Sequence, residues 1–226
     1  MEVKGIRRLV AFDMDGTLLD GRVIYSIGDR LGFTSEIEKT ARLSIAPYER
    51  SKMIAKLLRG LHVSMLSEIV HEIPLMKGAS ETVKQLKDKK CIVGIISDSY
   101  TLATEIVARK LKLDFHVANA LEVKNGIITG RLKMPMGWEK VGCYCKQSVC
   151  KRYHLHRMAK KYGIDLSRTV AVGDSKADLC MLETAGIGIM FSPQENNFKN
   201  VTHIVHDKDL RLVFNCLREM WRRERN

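Results

Sequence analysis

Short apolar segments rich in valine and isoleucine recur along the chain, and longer segments with helical periodicity separate them. The apolar runs are continuous rather than alternating, which is typical of strands buried on both faces of a parallel sheet. The predicted strands span 9–12, 91–96, 169–172, 187–190 and 203–205. The predicted helices span 79–89, 100–111, 151–162, 176–185 and 210–223. Strands that alternate with helices predict an α/β fold with a doubly wound, Rossmann-like parallel sheet.

One long region interrupts this alternation. Residues 20–74 contain no strand-like run and instead predict several helices, for example 47–58 and 64–71. We interpret 20–74 as a helical cap domain inserted into an α/β core domain made of 1–19 and 75–226. Ligands of such sheets bind outside the carboxyl ends of the strands, and we expect the cap to lie over that edge.

A second, shorter interruption predicts a β-hairpin. Residues 119–134 place Asn125-Gly126 between β-forming residues, which is the strongest short-range pattern for a tight hairpin turn. The chain is therefore expected to carry a small β-hairpin flap beside the sheet.

Composition narrows the class of protein and its possible partners but does not identify a fold. The chain has 45% hydrophobic and 28% charged residues, which is ordinary for a globular protein. Its six cysteines are too few for a disulfide scaffold, so we expect a reduced, cytoplasmic location. The charged N-terminus is unlike a secretory signal, and no run approaches the roughly 18–20 apolar residues of a membrane helix, so no membrane partner is predicted. The net charge of +12 favours anionic partners, which include phosphorylated metabolites, nucleic acid and acidic lipid.

Carboxylates follow two of the predicted strands. Asp13 and Asp15 come directly after the first strand, two positions apart, so both side chains can face one side. Asp174 follows the strand at 169–172, and Asp178 lies one helical turn further on. Two acids beside a Mg²⁺ ion suit phosphoryl transfer, because one can attack phosphorus while the other protonates the leaving oxygen and later activates water. Either pair alone is better explained by a turn, an incidental surface pair or a helix N-cap.

Two further groups lie at the ends of predicted elements. Ser97 and Asp98 follow the strand at 91–96, where a hydroxyl and free backbone N–H groups can hold phosphate oxygens. Lys151 begins a helix and can neutralise phosphate charge. A helix cap and a surface lysine are the ordinary explanations of each group taken alone. Together with the carboxylates, however, these groups place the requirements of phosphoryl transfer at neighbouring strand ends of one sheet.

These motifs resemble those of the haloacid dehalogenase superfamily and, within it, of the phosphoserine-phosphatase-like phosphatases. The resemblance covers nearly the whole chain. Asp13-Met14-Asp15-Gly16-Thr17 is similar to the first motif of the family, Ser97 to the second and Lys151 to the third. The stretch from Gly173 to Asp178 is similar to the fourth motif, and the helical insert and hairpin are similar to the subfamily's cap and flap.

The resemblance implies a role for each of these residues. Asp13 would be the nucleophile, and Asp15 would be the general acid/base and bind Mg²⁺ through its backbone carbonyl. The implied Mg²⁺ site consists of Asp13, Asp15, Asp174 and Asp178, the last in a supporting role. Ser97 and Lys151 would hold the phosphoryl group, and Lys151 would also steady Asp13. The implied activity is a Mg²⁺-dependent phosphomonoesterase that forms an aspartyl-phosphate.

Substrate recognition is where the chain departs from phosphoserine phosphatases. Those enzymes carry a glutamate shortly after the first motif to meet the substrate's amine, and Arg22 stands at about that place here. The cap arginine that meets the substrate's carboxylate is replaced near Ala55, with Arg50 close by. We therefore expect a small phosphorylated metabolite that is not strictly phosphoserine, with Arg22 and Arg50 as candidate recognition residues.

Cysteines surround the candidate lysine. Lys146 rivals Lys151 because both follow a cysteine, in Cys145-Lys146 and Cys150-Lys151, but the helix start and the interval to the fourth motif favour Lys151. Both cysteines are also similar to the third motif of phosphoethanolamine/phosphocholine phosphatases, which favours a small phosphomonoester.

The same cysteines allow more than one interpretation. Cys143, Cys145 and Cys150, with His154 or His156, form the one cluster of soft metal ligands in the sequence, although their spacing is not a standard zinc spacing. Zinc binding, a disulfide and apolar packing all remain open.

Two other functions compete with a metabolite phosphatase. The net charge and the Arg-rich stretch at 218–225 suggest a phosphatase of nucleic-acid ends, whose binding would weaken steeply with salt. A cap over the site disfavours such polymers, so nucleic acid is not the favoured partner. A non-catalytic aspartyl-phosphate signalling module is the other alternative, but receiver-like domains lack a long helical insert after the nucleophile.

Overall fold

The computed structural model describes residues 7–194 and 200–224. Seven strands form one sheet in the order β4-β3-β2-β1-β5-β6-β7. The strands are β1 (Leu9–Phe12), β2 (Ile92–Tyr100), β3 (Phe115–Lys124), β4 (Ile127–Lys133), β5 (Thr169–Gly173), β6 (Ile187–Phe191) and β7 (His203–Val205). Neighbouring strands are parallel except for β3 and β4, which are antiparallel. The predicted α/β fold is confirmed.

Ten α-helices accompany the sheet in the described part of the chain. They are α1 (Val23–Leu31), α2 (Thr34–Ala41), α3 (Pro47–Leu57), α4 (Val63–Glu72), α5 (Ala79–Asp88), α6 (Thr101–Leu111), α7 (Trp138–Val141), α8 (Lys151–Tyr162), α9 (Leu179–Leu182) and α10 (Arg211–Arg223). Among the described residues, none of these helices has both the length and the apolar composition needed to cross a lipid bilayer.

The central strand β1 explains why its sequence is apolar at every position. Successive side chains of a strand point to opposite faces of the sheet. Val10 and Phe12 belong to the hydrophobic cluster that includes residues of α5 and α10, whereas Leu9 and Ala11 belong to the one that includes residues of α8 and α9. Helices thus cover both faces, and β1 is buried between β2 and β5.

The region predicted to be a cap is helical. Helices α1 to α4 all lie between β1 and α5, and α3 and α4 correspond to the predicted helices 47–58 and 64–71. Helix α1 is an addition to the predicted set. The domain boundaries at 20–74 stay a prediction.

The predicted hairpin forms from β3 and β4, with Asn125 and Gly126 at its turn, both in the left-handed region at φ 50° and 78°. Backbone groups of the loop between α3 and α4 pair with β4. The Gly60 N–H donates to the Ile128 carbonyl at 2.9 Å, and the Ile128 N–H donates to the Leu61 carbonyl at 2.9 Å. The helical region and the hairpin are therefore joined by main-chain hydrogen bonds.

The prediction of one helix over 176–185 is wrong in both its type and its length. A 3₁₀ turn, Lys176–Asp178, comes first, and α9 then covers only four residues. The Asp178 carboxylate accepts hydrogen bonds from both the backbone N–H and the hydroxyl of Ser175, each at 3.0 Å, which closes a tight capping box. Beyond α9, a Cβ atom on Gly186 would lie 2.1 Å from the Ser167 carbonyl oxygen, so only glycine allows this close approach.

Candidate active site

Asp13 lies at the carboxyl end of β1, in the middle of the sheet. Its backbone N–H donates to the Val172 carbonyl of β5 at 2.8 Å, so the pairing of these two strands continues up to Asp13. The Asp13 side chain is buried, with 4% of the residue exposed. A buried carboxylate at this edge of the sheet has the fixed position that the predicted nucleophile would need.

Lys151, the first residue of α8, forms a buried bridge between two carboxylates. Its Nζ donates to Asp13 Oδ1 at 2.6 Å and also to Asp178 Oδ1. Only 1% of Lys151 is exposed. Burial alone lowers the pKa of an ammonium group, but the charges of Asp13 and Asp178 outweigh it and hold the pKa of Lys151 well above its usual value. Lys151 is therefore a fixed cation beside Asp13, whereas its rival Lys146 is exposed.

Carboxylates are crowded around this cation. Oxygens of Asp13, Asp174 and Asp178 all lie within 4.8 Å of one another. Burial raises the pKa of Asp13 well above its usual value; Lys151 opposes the rise, and the other two carboxylates add to it. Burial and the charge of Asp178 likewise raise the pKa of Asp174 to about 6. These three carboxylates outnumber the two neighbouring cations, Lys151 and Arg22, and such a set of oxygen ligands fits a hard divalent cation such as Mg²⁺.

Asp15 has a different environment from Asp13. Its Oδ1 accepts a hydrogen bond from the backbone N–H of Val23, the first residue of α1, at 2.6 Å. Burial raises the pKa of Asp15 to about 6, although the Val23 N–H and the Ser99 hydroxyl act in the opposite direction. A carboxyl group that titrates near neutral pH can both donate and accept a proton, as a general acid/base must.

The loop after Asp15 depends on a glycine. Gly16 has φ 81°, in the left-handed region, and a Cβ atom there would lie 2.5 Å from Asp174 Oδ2. The first and fourth motifs therefore approach each other more closely than any side chain at this position would permit.

Ser97 lies where β2 leaves its regular pairing. The register of β2 against β3 shifts between Ile96 and Tyr100, so the ladder is irregular around Ser97. Ser97 is fully buried, and its hydroxyl oxygen accepts the Ser99 N–H at 3.1 Å. The charge of the Asp98 carboxylate raises the pKa of both Asp13 and Asp15, and the same charge would repel a phosphate group. Any contribution of Asp98 to phosphate binding would therefore come from its backbone.

The two candidate recognition arginines lie in different places. Arg22 Nη2 donates to Asp174 Oδ2 at 3.0 Å, with 49% of the Arg22 side chain exposed, so its guanidinium group borders the carboxylate cluster. Arg50 Nη2 donates to the backbone carbonyl of Leu43 at 3.0 Å, within the helical region. Arg22 thus stands beside the predicted metal site, while the role of Arg50 stays a prediction.

Three polar residues that sequence reasoning missed connect α3 to this site. The Ser51 hydroxyl donates to the Ser148 hydroxyl at 3.0 Å, and the Asn119 amide donates to Ser148 at 2.8 Å. The same Asn119 amide donates to the Asp98 carbonyl at 2.6 Å. Ser148 and Asn119 are buried, so this chain of hydrogen bonds fixes α3 next to the Ser97 loop.

Comparison with known proteins identifies the family of the chain. The family model described as haloacid dehalogenase-like hydrolase matches residues 10–183. The phosphoserine phosphatase of Archaeoglobus fulgidus is 34% identical over 193 residues, which cover 84% of this chain and 54% of that protein. The phosphoserine phosphatase of Methanocaldococcus jannaschii is 29% identical over 216 residues, covering 94% of this chain and 98% of that protein. This chain therefore spans about half the length of the first relative and nearly all of the second.

Solved structures agree with the fold. A structure described as a phospho-aspartyl intermediate analogue of phosphoserine phosphatase matches with a TM-score of 0.81 and 27% identity, over 93% of this chain and 99% of that one. The matched range includes the four motifs singled out in the sequence, from Asp13 to Asp178. The chain belongs to the haloacid dehalogenase-like hydrolases, in their phosphoserine-phosphatase-like branch.

Proposed function

We propose that this protein is a Mg²⁺-dependent phosphomonoesterase that hydrolyses a small phosphorylated metabolite through an aspartyl-phosphate on Asp13. The observation that carries the proposal is the buried contact of 2.6 Å between Lys151 Nζ and Asp13 Oδ1. It orients the carboxylate and supplies a fixed positive charge where a phosphoryl group would be attacked. The name of the matched structure, an intermediate analogue of phosphoserine phosphatase, supports the same chemistry.

The proposed reaction has two steps. A carboxylate oxygen of Asp13 bonds to phosphorus while the bond from phosphorus to the leaving oxygen breaks, and Asp15 gives its proton to that oxygen. Asp15, now ionised, takes a proton from the water that attacks phosphorus, which releases inorganic phosphate and restores both aspartates. The pKa of Asp15, about 6, suits both transfers. Ser97 and Lys151 hold the phosphoryl oxygens throughout.

The carboxylate cluster fits Mg²⁺, with Asp13 and Asp174 as side-chain ligands and Asp15 contributing its backbone carbonyl. The ion would neutralise charge on the phosphoryl oxygens. Asp178 already accepts hydrogen bonds from Lys151 and Ser175 on its two oxygens. We therefore assign Asp178 mainly to holding Lys151 in place.

The helical region supports a small substrate. Its helix α3 is tied to the Ser97 loop through Ser51, Ser148 and Asn119, so the space next to the phosphate site is bordered by protein. A nucleic-acid end would need an open groove there. A metabolite is accordingly the favoured substrate.

Arg22 bears on which metabolite is bound. The relatives are named phosphoserine phosphatases, so phosphoserine is the first compound to test. The Arg22 guanidinium lies 3.0 Å from Asp174, at the border of the carboxylate cluster. A substrate ammonium group bound beside it would therefore meet a like charge. We propose that the site prefers phosphomonoesters that carry no amine at that position.

The direct test replaces the nucleophile. Asp13→Asn keeps the size of the side chain but removes its charge and nucleophilicity, and we expect turnover of an aryl phosphate with Mg²⁺ to fall by at least about 10³-fold. Asp88→Asn is the matched control, because Asp88 is exposed at the end of α5. Undiminished turnover by the Asp13 variant would contradict the proposal. A stable phosphoaspartate without phosphate release from the unmodified protein would favour the non-catalytic module instead.

A further inference from the structure

Four cysteines outside the carboxylate site come together in the folded chain. Cys143 and Cys145 lie in the loop between α7 and α8, Cys150 is the residue before α8, and Cys180 lies in α9. Their four sulfur atoms all lie within 4.8 Å of one another. Cys143, Cys150 and Cys180 are buried, and Cys145 is partly exposed. Cys180 is the member that sequence spacing did not reveal.

The geometry of this group matches one kind of metal site. Zn²⁺ in structural sites is bound by four ligands in a tetrahedron, with Zn–S distances of about 2.3 Å, which places the sulfur atoms about 3.8 Å apart. Four sulfur atoms within 4.8 Å of one another meet that requirement. The histidines considered with these cysteines, His154 and His156, do not belong to the group of four.

Apolar packing and disulfide bonding explain the arrangement less well. All four cysteines are free thiols in this structure. Packing alone gives no reason for four sulfur atoms from three separate segments to converge on one point, and a single disulfide would use only two of them. Trp138 and Tyr153 pack against the group and shield it from water. Thiolates at this place would also lie at the positive end of the α8 dipole, next to Cys150.

We propose that Cys143, Cys145, Cys150 and Cys180 bind one Zn²⁺ ion as a structural tetrathiolate site. Four protein ligands leave no open position for a substrate or a catalytic water. Cys145 is the partly exposed member of the group, so the ion would enter the site from the side of Cys145.

The site would fasten the segments that carry the catalytic lysine and its partner. Cys150 immediately precedes Lys151, and Cys180 follows Asp178 by two residues. A zinc ion shared by these cysteines would fix the start of α8 against α9, and hence the distance across the buried Lys151–Asp178 contact. The loop that carries Cys143 and Cys145 would be held to the same point.

Metal content tests this proposal without reference to activity. Protein purified without added zinc or chelator is measured for bound metals by mass spectrometry, and we expect one zinc ion per chain. Cys180→Ser and, separately, Cys145→Ser should each lose stoichiometric zinc. Cys216→Ser is the matched control, because Cys216 lies on α10 outside the group, and it should retain zinc.

Two further measurements test the proposal even if Cys180→Ser does not fold. The unmodified protein should release zinc in proportion as a mercurial reagent titrates its thiols, and Cys145→Ser alters the partly exposed ligand and so perturbs folding least. Iron in place of zinc would overturn the zinc assignment. Disulfides detected by intact mass, or four free thiols that fail to take up zinc on dialysis against it, would overturn the site itself.

Discussion

Replacement of the buried lysine, Lys151→Met, perturbs the feature on which the site depends. Methionine keeps a chain of similar length but removes the ammonium group between Asp13 and Asp178, all three of whose side chains are at most 6% exposed. Removing one partner of a buried ion pair costs about 3–5 kcal/mol, because the remaining charge stays buried without compensation. We therefore expect the free energy of unfolding to fall by about 4 kcal/mol at pH 8. For a chain of this size that corresponds to a melting temperature lower by roughly 8–16 °C.

The cost should depend on pH in a definite direction. Burial already raises the pKa of Asp13 above its usual value, and Lys151 opposes that rise, so the pKa climbs further in the variant. Between the unfolded and folded pKa values, the native state binds more protons than the unfolded state, and stability therefore increases as pH falls. The destabilisation by Lys151→Met should accordingly shrink between pH 8 and pH 5.5.

Urea unfolding at the two pH values, without added Mg²⁺, measures both effects. Lys160→Met is the matched control, because Lys160 is an exposed residue of the same helix, and it should change stability by no more than about 0.5 kcal/mol. The reasoning is refuted if Lys151→Met costs no more than this control, or if its cost is the same at both pH values.

Three further predictions follow from the same site. Turnover of an alkyl phosphate should decrease as pH rises through about 6, the pKa of Asp15, because Asp15 must be protonated to donate a proton to the leaving oxygen. The Asp15→Asn variant should lower the rate by about 10²–10⁴-fold, and its pH–rate profile should lack that decrease. Gly16→Ala, which would place a Cβ atom 2.5 Å from Asp174 Oδ2, should cost about 1–3 kcal/mol in urea unfolding and raise the Mg²⁺ concentration needed for activity. Arg22→Glu should raise kcat/KM for phosphoserine relative to an amine-free phosphomonoester on the order of tenfold, measured by phosphate release, and an unchanged ratio would contradict the proposed role of Arg22.

The positions of the candidate catalytic residues could be predicted because they depend on local pattern and one topological rule. Asp13, Ser97 and Asp174 each follow a continuous apolar run, and parallel strands present their carboxyl ends at one edge. The prediction of Lys151 rather than Lys146 depends on its position at a helix start and on its interval to the fourth motif. The structure buries the first lysine against Asp13 and leaves the second exposed.

Helix α1 could not be predicted from its own residues. Its sequence is rich in β-branched residues and contains Gly28, all weak helix formers. The hydrogen bond that Asp15 accepts from Val23 at the first turn comes from outside the helix. Burial of Val23 and Ile27 then stabilises a segment whose intrinsic helical propensity is low.

Contacts between segments far apart in the chain could not be predicted from the sequence either. Ser51 and Ser148 are separated by 97 residues, and Asn119 and Ser148 by 29. Cys180 lies in an apolar helix thirty positions after Cys150, where a single cysteine resembles ordinary core packing. Only the winding of the sheet brings these side chains together.

The pairing of the α3–α4 loop with β4 has a consequence for solubility. β4 is an outer strand of the sheet, and an uncovered outer strand is a template for pairing with other chains. The hydrogen bonds of Gly60 and Leu61 to Ile128 occupy part of that edge, while β7 at the opposite side is only three residues long. Deleting the helical insert to admit larger ligands would therefore expose an aggregation-prone strand. Such a redesign would need a charged residue or a proline on β4 as a replacement for the lost cover.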